Sequence, residues 1–314
     1  MHRRDAYQSF AANAPDLPLF MQPWYLDAVC RGGFWDAALV QKAGRTVAAL
    51  PYFLKQKLGW RYVTMPQLCK QMGPYMLPEY RSLKWEMRIY DELLSQLPPG
   101  LAAFEQNFNY GVTNWLPFYW KGFRQTTCYS YLLPLDAPEE VIFKNIDADY
   151  RKKIRAAEAR LVVRHDLPLA ELQRLVGLSF ERQGLRHPLD FSFLEGLYTA
   201  LCEHDCVQTF FATDSDSGQV HSAVLIAWDS TSAYYLMSGD DPALRSSGAG
   251  VLLQWAAICY AKNVVGIPVF DFEGSMMRNL EGGRRNFGAA QKPYFRVQRE
   301  WSAVWKWGKF LRGQ

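Results

Sequence analysis

No run of roughly 18 uninterrupted apolar residues occurs in this chain of 314 residues, so no transmembrane helix is expected. The opening stretch "MHRRDAYQSFAANAPDLP" lacks the apolar region a secretory signal needs. Low-complexity tracts and long linkers are also missing. Neither sign of charge dominates: 35 basic against 31 acidic residues leave +4. That is too mild for a dedicated DNA binder, while anionic ligands stay open. Gly-x-Ser-x-Gly is absent and no cysteine sits in a recognisable catalytic signature, which argues against the common nucleophile schemes. The six cysteines (Cys30, Cys69, Cys128, Cys202, Cys206 and Cys259) are scattered in apolar contexts, as free thiols in a reducing compartment would be. Their one cluster, Cys202-x-His204-x-Cys206, fits no usual zinc spacing and reads as half-buried thiols beside an exposed His. The expectation is a cytoplasmic protein that needs no metal.

What is present is apolar and aromatic. Hydrophobic residues make up 49% and aromatic ones 15%, with 11 Trp, enough for a sizeable core and an aromatic-lined cleft. In the second half, 146–160 reads as a charged helix with a thin stripe of Ile146, Ile154 and Ala157. A short strand at 161–165 and helices at 168–183 and 190–204 follow. Strands are expected at 207–213, 219–228 and 231–238, joined by the turns "DSDSG" and "DS". Next come a loop and helix (Arg245 to Lys262), a strand at 268–274, a short helical stretch at 275–285 and a strand at 292–298.

The first half repeats this order. A helix at 20–31 precedes strands at 36–41, 45–53 and 60–66. A loop with Gly73, a helix at 79–96, a strand at 101–107, a helix around 111–119 and a strand at 128–135 close it. "FEQ" (104–106) and "FEG" (272–274) end the corresponding strands. Three antiparallel strands leading into a β-loop-α-β unit make a mixed α/β sheet with helices on both faces. The reading is a degenerate duplication, with domains 1–140 and 141–314; a single domain with coincidental order is the alternative.

"RSSGAG" at 245–250 opens a helix after a strand. Helix N-termini present unpaired N–H groups and the positive end of the dipole, so anions bind there. Gly248 and Gly250 lack Cβ atoms, which would let a diphosphate approach the backbone, and Arg245 adds a positive charge. By itself the motif fits a plain glycine-rich helix start equally well.

In its setting, Arg-x-x-Gly-x-Gly resembles the pyrophosphate loop of the GNAT acetyltransferase superfamily. Two such halves in one chain resemble the Fem family of peptidoglycan-bridge aminoacyltransferases and their bacterial relatives. "YRKKIRAAEAR" (Tyr150 to Arg160) is similar to the basic helix of that group. "FDFEGSM…RRNFGAAQKPYF" (Phe270 to Phe295) is similar to its strand, short helix, Phe-Gly pair and final strand. The long coiled-coil arm of some Fem proteins is absent, and Arg284 or Arg285 stands where the family has Lys. The resemblance implies acyl-CoA as co-substrate, its diphosphate on Arg245, Ser246, Ser247, Gly248, Ala249 and Gly250, and its pantetheine arm beside Met237 and Ser238 on a splayed strand. Aminoacyl-tRNA is the alternative donor that the Fem likeness carries. The first half has "KQMGPY" (70–75) where a phosphate loop would be, and Pro74 removes an N–H there. Only the second half is expected to bind a donor.

Glu273 is the expected base for the attacking amine, with Asp271, two residues earlier on the same strand face, as its backup. Glu273 as the cap of a helix starting at Ser275 is the plain alternative. Tyr234 and Tyr235 point opposite ways on their strand, so one of them, taken as Tyr235, is the expected proton donor to the leaving thiolate. Glu105 is expected to face the same cleft and bind a substrate amine. Tyr150, Arg151, Arg155 and Arg284 are expected on the acceptor, Lys152 and Lys153 in solvent. The C-terminal stretch 299–313 puts Trp301, Val304, Trp305 and Leu311 on one face with Lys306, Lys309 and Arg312 elsewhere; it suits an anionic membrane surface or packing on the protein. The expected activity is acyl transfer to an amine of a small molecule or cell-envelope precursor, with a ligand-binding pseudo-transferase as the non-enzymatic alternative.

Overall fold

Eight residues in succession, 47–54, are buried in the middle of the strand Arg45–Lys57. A strand covered on both faces needs no polar alternation, which is why this stretch reads as a continuous apolar run. The computed structural model describes residues 3–184, 190–274, 276, 278–302 and 305. The elements up to the middle of the chain are α1 (Arg3–Ala11), α2 (Pro23–Val29), β1 (Phe34–Lys42), β2 (Arg45–Lys57), β3 (Trp60–Thr64), β4 (Tyr75–Met76), α3 (Leu83–Ser95), β5 (Leu101–Asn107), α4 (Leu116–Trp120) and β6 (Arg124–Pro134). The remainder are α5 (Glu139–Asn145), α6 (Ala148–Glu158), β7 (Leu161–Arg164), α7 (Leu169–Arg182), α8 (Phe191–Glu203), β8 (Val207–Asp214), β9 (Val220–Trp228), β10 (Ser232–Asp240), α9 (Ala249–Tyr260), β11 (Val269–Asp271), α10 (Arg278–Arg285) and β12 (Ala290–Glu300).

The chain divides into two units, one of residues 1–128 and 293–314, the other of 129–292. In the first unit the strands run β1-β2-β3-β5-β12, with β4 added to β2. Pairing is antiparallel from β1 to β3, parallel between β3 and β5, and antiparallel between β5 and β12. In the second unit the order is β7-β8-β9-β10-β11-β6. The signs repeat: antiparallel from β7 to β10, parallel between β10 and β11, antiparallel between β11 and β6. The parallel step needs a crossover, and α3 and α9 supply it.

This corrects the division at residue 140. Residues 132–134 of β6, which closes the first half of the sequence, pair with β11 of the second unit. Residues 296–300 of β12 pair with β5 of the first. Without these partners β5 and β11 would each leave a row of backbone groups bare at a sheet edge. Each half therefore donates its last strand to the other unit.

Boundaries shift where side chains intervene. The helix expected at 111–119 is five residues long, Leu116–Trp120, and just ahead of it Asn114 Oδ1 accepts from Leu116 N–H at 3.1 Å. The one at 79–96 begins at Leu83 after a 3-10 turn at Pro78–Tyr80. Helices α1 and α5 were not expected. α6 keeps its predicted thin stripe: Ile154 and Ala157 are buried, and Asp147 accepts from Asp149 N–H at 2.9 Å as its cap. α9 is covered more widely than one face, with Leu252, Leu253, Trp255, Ala257 and Ile258 all buried. Together with Phe210, Ile226, Phe270 and Phe287 they form the core of the second unit. Each such side chain contributes roughly 1.5–3 kcal/mol by leaving water.

Among the described residues no helix is long and apolar enough to cross a membrane. Most of the amphipathic stretch expected at 299–313 lies outside the described residues, including Val304, Lys306, Lys309, Leu311 and Arg312. Of the rest, the Trp305 ring packs 4.5 Å from Tyr62 and Trp301 packs 5.7 Å from Phe123 while remaining 41% exposed.

Candidate active site

Strands β10 and β11 part company inside the second unit. Their register runs Ser232↔Val269, Ala233↔Phe270, Tyr234↔Asp271, and there β11 ends. β10 continues for six more residues to Asp240, paired with β9, with a bulge between Tyr235 and Met237. A bulge bends its strand and steepens the local twist. One edge of β10 from Tyr235 onward is thus left by β11, which opens a wedge between the two. Met237 is buried there and Ser238 is exposed.

At the far end of the wedge Asp241 caps a 3-10 turn, Pro242–Ser247, by accepting from Ala243 N–H at 2.9 Å. Gly248 then takes φ +79° and starts α9. Arg245 and Ser246 are exposed, and Ser247 Oγ accepts from Ala249 N–H at 3.3 Å. The two glycines also answer to neighbours within the unit. A Cβ on Gly248 would lie 3.2 Å from the Lys153 carbonyl oxygen, and one on Gly250 2.9 Å from Asp240 Oδ1. The Asp240 carboxylate accepts from Ser222 Oγ at 2.7 Å, and its Oδ2 is 3.9 Å from Arg245 Nε. That exposed pair contributes less than about 1 kcal/mol. The glycines expected to make room for a ligand therefore already make room for the fold.

Of the two carboxylates, Asp271 is the last residue of β11 and Glu273 lies two residues beyond it. The strand expected to reach Gly274 stops at Asp271 because Glu273 adopts φ +50°. For a residue with a Cβ this conformation costs on the order of 1–2 kcal/mol. Ser275, where a helix capped by Glu273 would start, lies outside the described residues. Asp271 and Glu273 are both buried. They do not share a strand face, as β alternation would have them do, because the left-handed residue breaks it. Asp271 Oδ1 accepts from Ser130 Oγ at 2.6 Å and from Glu273 N–H at 2.8 Å. Ser130 Oγ accepts in turn from Gly274 N–H at 2.8 Å.

Arg284 completes this group. Its Nε donates to the Phe272 carbonyl at 3.0 Å. Burial pushes the guanidinium below the usual arginine range, and Tyr235, Glu273 and Asp271 pull it back up. Arg285 instead leans outward to Glu281 at 3.0 Å, so Arg284 is the inward-facing cation of the pair. The Tyr235 ring sits 6.4 Å from both Phe270 and Phe272, and Gln254 Nε2 donates to its hydroxyl at 3.4 Å. Burial pushes the Tyr235 phenol up to about 12. Tyr234 donates to Asp229 Oδ2 at 2.7 Å and is otherwise core. Asp271, Glu273, Arg284 and Tyr235, read separately from the sequence, are one cluster. Ser130 and Gln254 were missed, and no local signal marks Ser130, which lies 141 residues from its partner Asp271.

Other candidates have local work. Arg151 donates to the carbonyls of Lys144 (2.6 Å) and Ile146, closing the C-terminal end of α5. Arg155 lies 5.6 Å over the Phe143 ring. Both line a surface cavity of ≈ 500 Å³ shared with Glu140, Glu158 and Trp255. Tyr150 packs on Phe287 at 5.6 Å, under Lys153 at 5.2 Å. Glu105, on β5 of the first unit, stands opposite Gln298 of β12.

In that first unit the loop corresponding to 245–250 is laced to the end of β5. Met72 N–H donates to Asn107 O at 2.7 Å, Asn109 N–H donates to Met72 O at 2.8 Å, and Asn109 Nδ2 donates to Met72 O and Pro74 O at 3.0 Å. Gly73 has φ +90°, and a Cβ on it would strike the Phe108 ring at 2.6 Å.

The family model of the acetyltransferase (GNAT) domain matches residues 144–299. No curated protein matches the chain. Among solved structures it is similar to FemX, with TM-score 0.69 and 14% identity over 94% of this chain and 96% of that one. It is also similar to a tandem GNAT protein from the clavulanic acid biosynthesis pathway (TM-score 0.58, 13% identity, 95% and 93% covered). A third is L-PGS from Bacillus licheniformis (TM-score 0.56, 11% identity, 96% and 93% covered). At these identities the likeness is one of fold. Residues 144–299 therefore belong to the GNAT acetyltransferase superfamily, within a chain whose whole fold is similar to FemX and to a tandem GNAT protein.

Proposed function

We propose that the second unit transfers an acyl group from acyl-CoA to an amine. The observation that carries this reading is the parting of β10 from β11 at Tyr234 and Asp271, with the buried Glu273–Arg284 group at the vertex. A thioester lying along β10 brings its carbonyl to that vertex and its diphosphate towards Arg245 and the first turn of α9. The amine nitrogen attacks the thioester carbon, the C–N bond forms and the C–S bond breaks. Glu273 takes the proton the amine loses. Tyr235, held protonated by burial, gives its proton to the departing thiolate. Backbone N–H groups on the open edge of β10 polarise the carbonyl, and positioning supplies much of the remaining rate. Both the clamp on the first unit's loop and Pro74 favour a single donor site.

The acceptor class we propose is an amine of a small molecule or a cell-envelope precursor, in keeping with the likeness to FemX. For a precursor at the inner face of the membrane, the segment 299–313 is the proposed contact, with a cytoplasmic body.

The test is donor titration. CoA at about a hundred times its Kd stabilises the native state by about 2.7 kcal/mol, read as a rise in Tm. Free-thiol release from acetyl-CoA with amine acceptors, lost in Glu273→Gln, completes the case. An unmoved Tm overturns the acyl-CoA reading. CoA binding without turnover, insensitive to Glu273→Gln, makes the protein a ligand-binding pseudo-transferase.

A further inference from the structure

Glu273 owes its place to its backbone. It lies two residues beyond the last pair of β11, and its φ of +50° turns the chain there. Three of the hydrogen bonds that fasten that turn pass through two side chains: Ser130 Oγ to Asp271 Oδ1, Glu273 N–H to the same oxygen, and Gly274 N–H to Ser130 Oγ. Phe272 is held besides by its N–H to Tyr131 O and by Arg284 Nε to its carbonyl, both at 3.0 Å. Ser130 is 1% exposed and Asp271 2%, so water does not compete for them. A serine hydroxyl has one donor and two acceptor sites, which lets it bridge the carboxylate and the Gly274 amide at once. The chain also comes too close for any other residue at 274, where a Cβ would lie 2.0 Å from the Tyr129 carbonyl oxygen.

We propose that Ser130 and Asp271 are positioning residues that hold 272–274 in the left-handed turn aiming the Glu273 side chain, so that Asp271 is no second base. The proposal rests on the reading of Glu273 as proton acceptor. It also gives β6 a role in the chemistry: the strand that ends the first half of the sequence carries the serine on which the second unit's carboxylate depends.

The test compares full-length Ser130→Ala, Ser130→Thr, Asp271→Ala and Glu273→Gln. Two readouts are taken: hydrogen exchange of the Glu273 and Gly274 amides, and thiol release with acetyl-CoA and n-propylamine as probes. Ser130→Ala is expected to speed exchange at both amides at least tenfold. It should lower kcat at least tenfold with KM for acetyl-CoA within twofold, and Ser130→Thr, which keeps the hydroxyl, should restore both. Should Ser130→Ala not fold, Asp271→Ala, which removes the oxygen that accepts from both Ser130 and the Glu273 amide, carries the same readouts. Unchanged exchange overturns the proposal, as does a kcat loss that Ser130→Thr does not restore or that KM follows in step. Full kcat in Glu273→Gln, or a wild-type chain that releases no thiol, instead overturns the reading of Glu273 and with it the purpose of the clamp, whatever the amides show.

Discussion

Gly250 and Asp240 meet at the first turn of α9, where a Cβ on the glycine would stand 2.9 Å from the carboxylate. An anion of the protein's own thus lies beside the end of the helix that is proposed to receive a diphosphate. The helix dipole stabilises whichever negative charge is there, typically by 0.3–1 kcal/mol.

Asp240→Asn is therefore expected to bind CoA about three- to tenfold more tightly than wild type, since neighbouring like charge no longer opposes the diphosphate. Arg245→Ala is expected to bind it several-fold more weakly. Calorimetric titration at two salt concentrations checks both, because the difference shrinks as ionic strength rises. Weaker binding by Asp240→Asn would mean that the carboxylate, through Ser222, shapes the loop for the donor instead of competing with it.

Gly274→Ala must force backbone apart, with Tyr129 O at 2.0 Å and Ser130 Cα at 2.3 Å from the new methyl group. The expected loss is on the order of 3 kcal/mol. Gly177→Ala is the contrasting change: it lies inside α7 with nothing within 4 Å of its Cβ position. It should gain about 0.5–1 kcal/mol from helix propensity and a less flexible unfolded chain. Urea unfolding of the two variants reads both signs.

Tyr235 ties stability to alkaline pH. Its phenol ionises near 10 when unfolded and is pushed up to about 12 by burial in the fold. The folded state disfavours the phenolate, so this contribution is whole below pH 10 and is lost as pH rises from 10 to 12. Tyr235→Phe should flatten that part of the stability profile relative to wild type, as urea midpoints across pH 9–11.5 would show. A difference between the two proteins that does not change with pH would refute the assignment.

Arg284 is the cation beside Asp271 and Glu273, and it also holds the Phe272 carbonyl. Arg284→Met removes both services and is expected to cost on the order of 2 kcal/mol. Arg284→Lys keeps the charge without the planar fork and should lose less stability, yet still lower kcat several-fold by loosening the turn. Thermal melts and thiol-release kinetics separate the two effects.

Periodicity along the chain was enough for the order of elements in the second half. Stripes such as Ile154 and Ala157 on α6, or the runs of β8, β9 and β10, are set by residues within one or two turns of each other. The GNAT likeness, read over 161–298, came from the same local stretches, and the family model matches 144–299. Asp271, Glu273, Arg284 and Tyr235 are candidates that the sequence names, and the structure brings them together in an arrangement the sequence does not show. Reading Asp271 and Glu273 as sharing a strand face assumed β geometry through Gly274, and the left-handed Glu273 is a tertiary effect with no sequence mark. The glycines of "RSSGAG" misled in the opposite direction. Glycine reports that something comes close, and only the fold shows that the Lys153 carbonyl and Asp240 do so.

By itself, then, the sequence determined the mixed α/β class, the repeated order of strands and helices, and the residue types available for the proposed acyl transfer, because these follow from nearest neighbours along the chain. Tertiary structure alone decided that each half gives away its last strand, that β10 outruns β11, and that Ser130 holds the turn around Glu273. Those depend on hydrogen bonds between residues far apart in sequence, which no local pattern encodes.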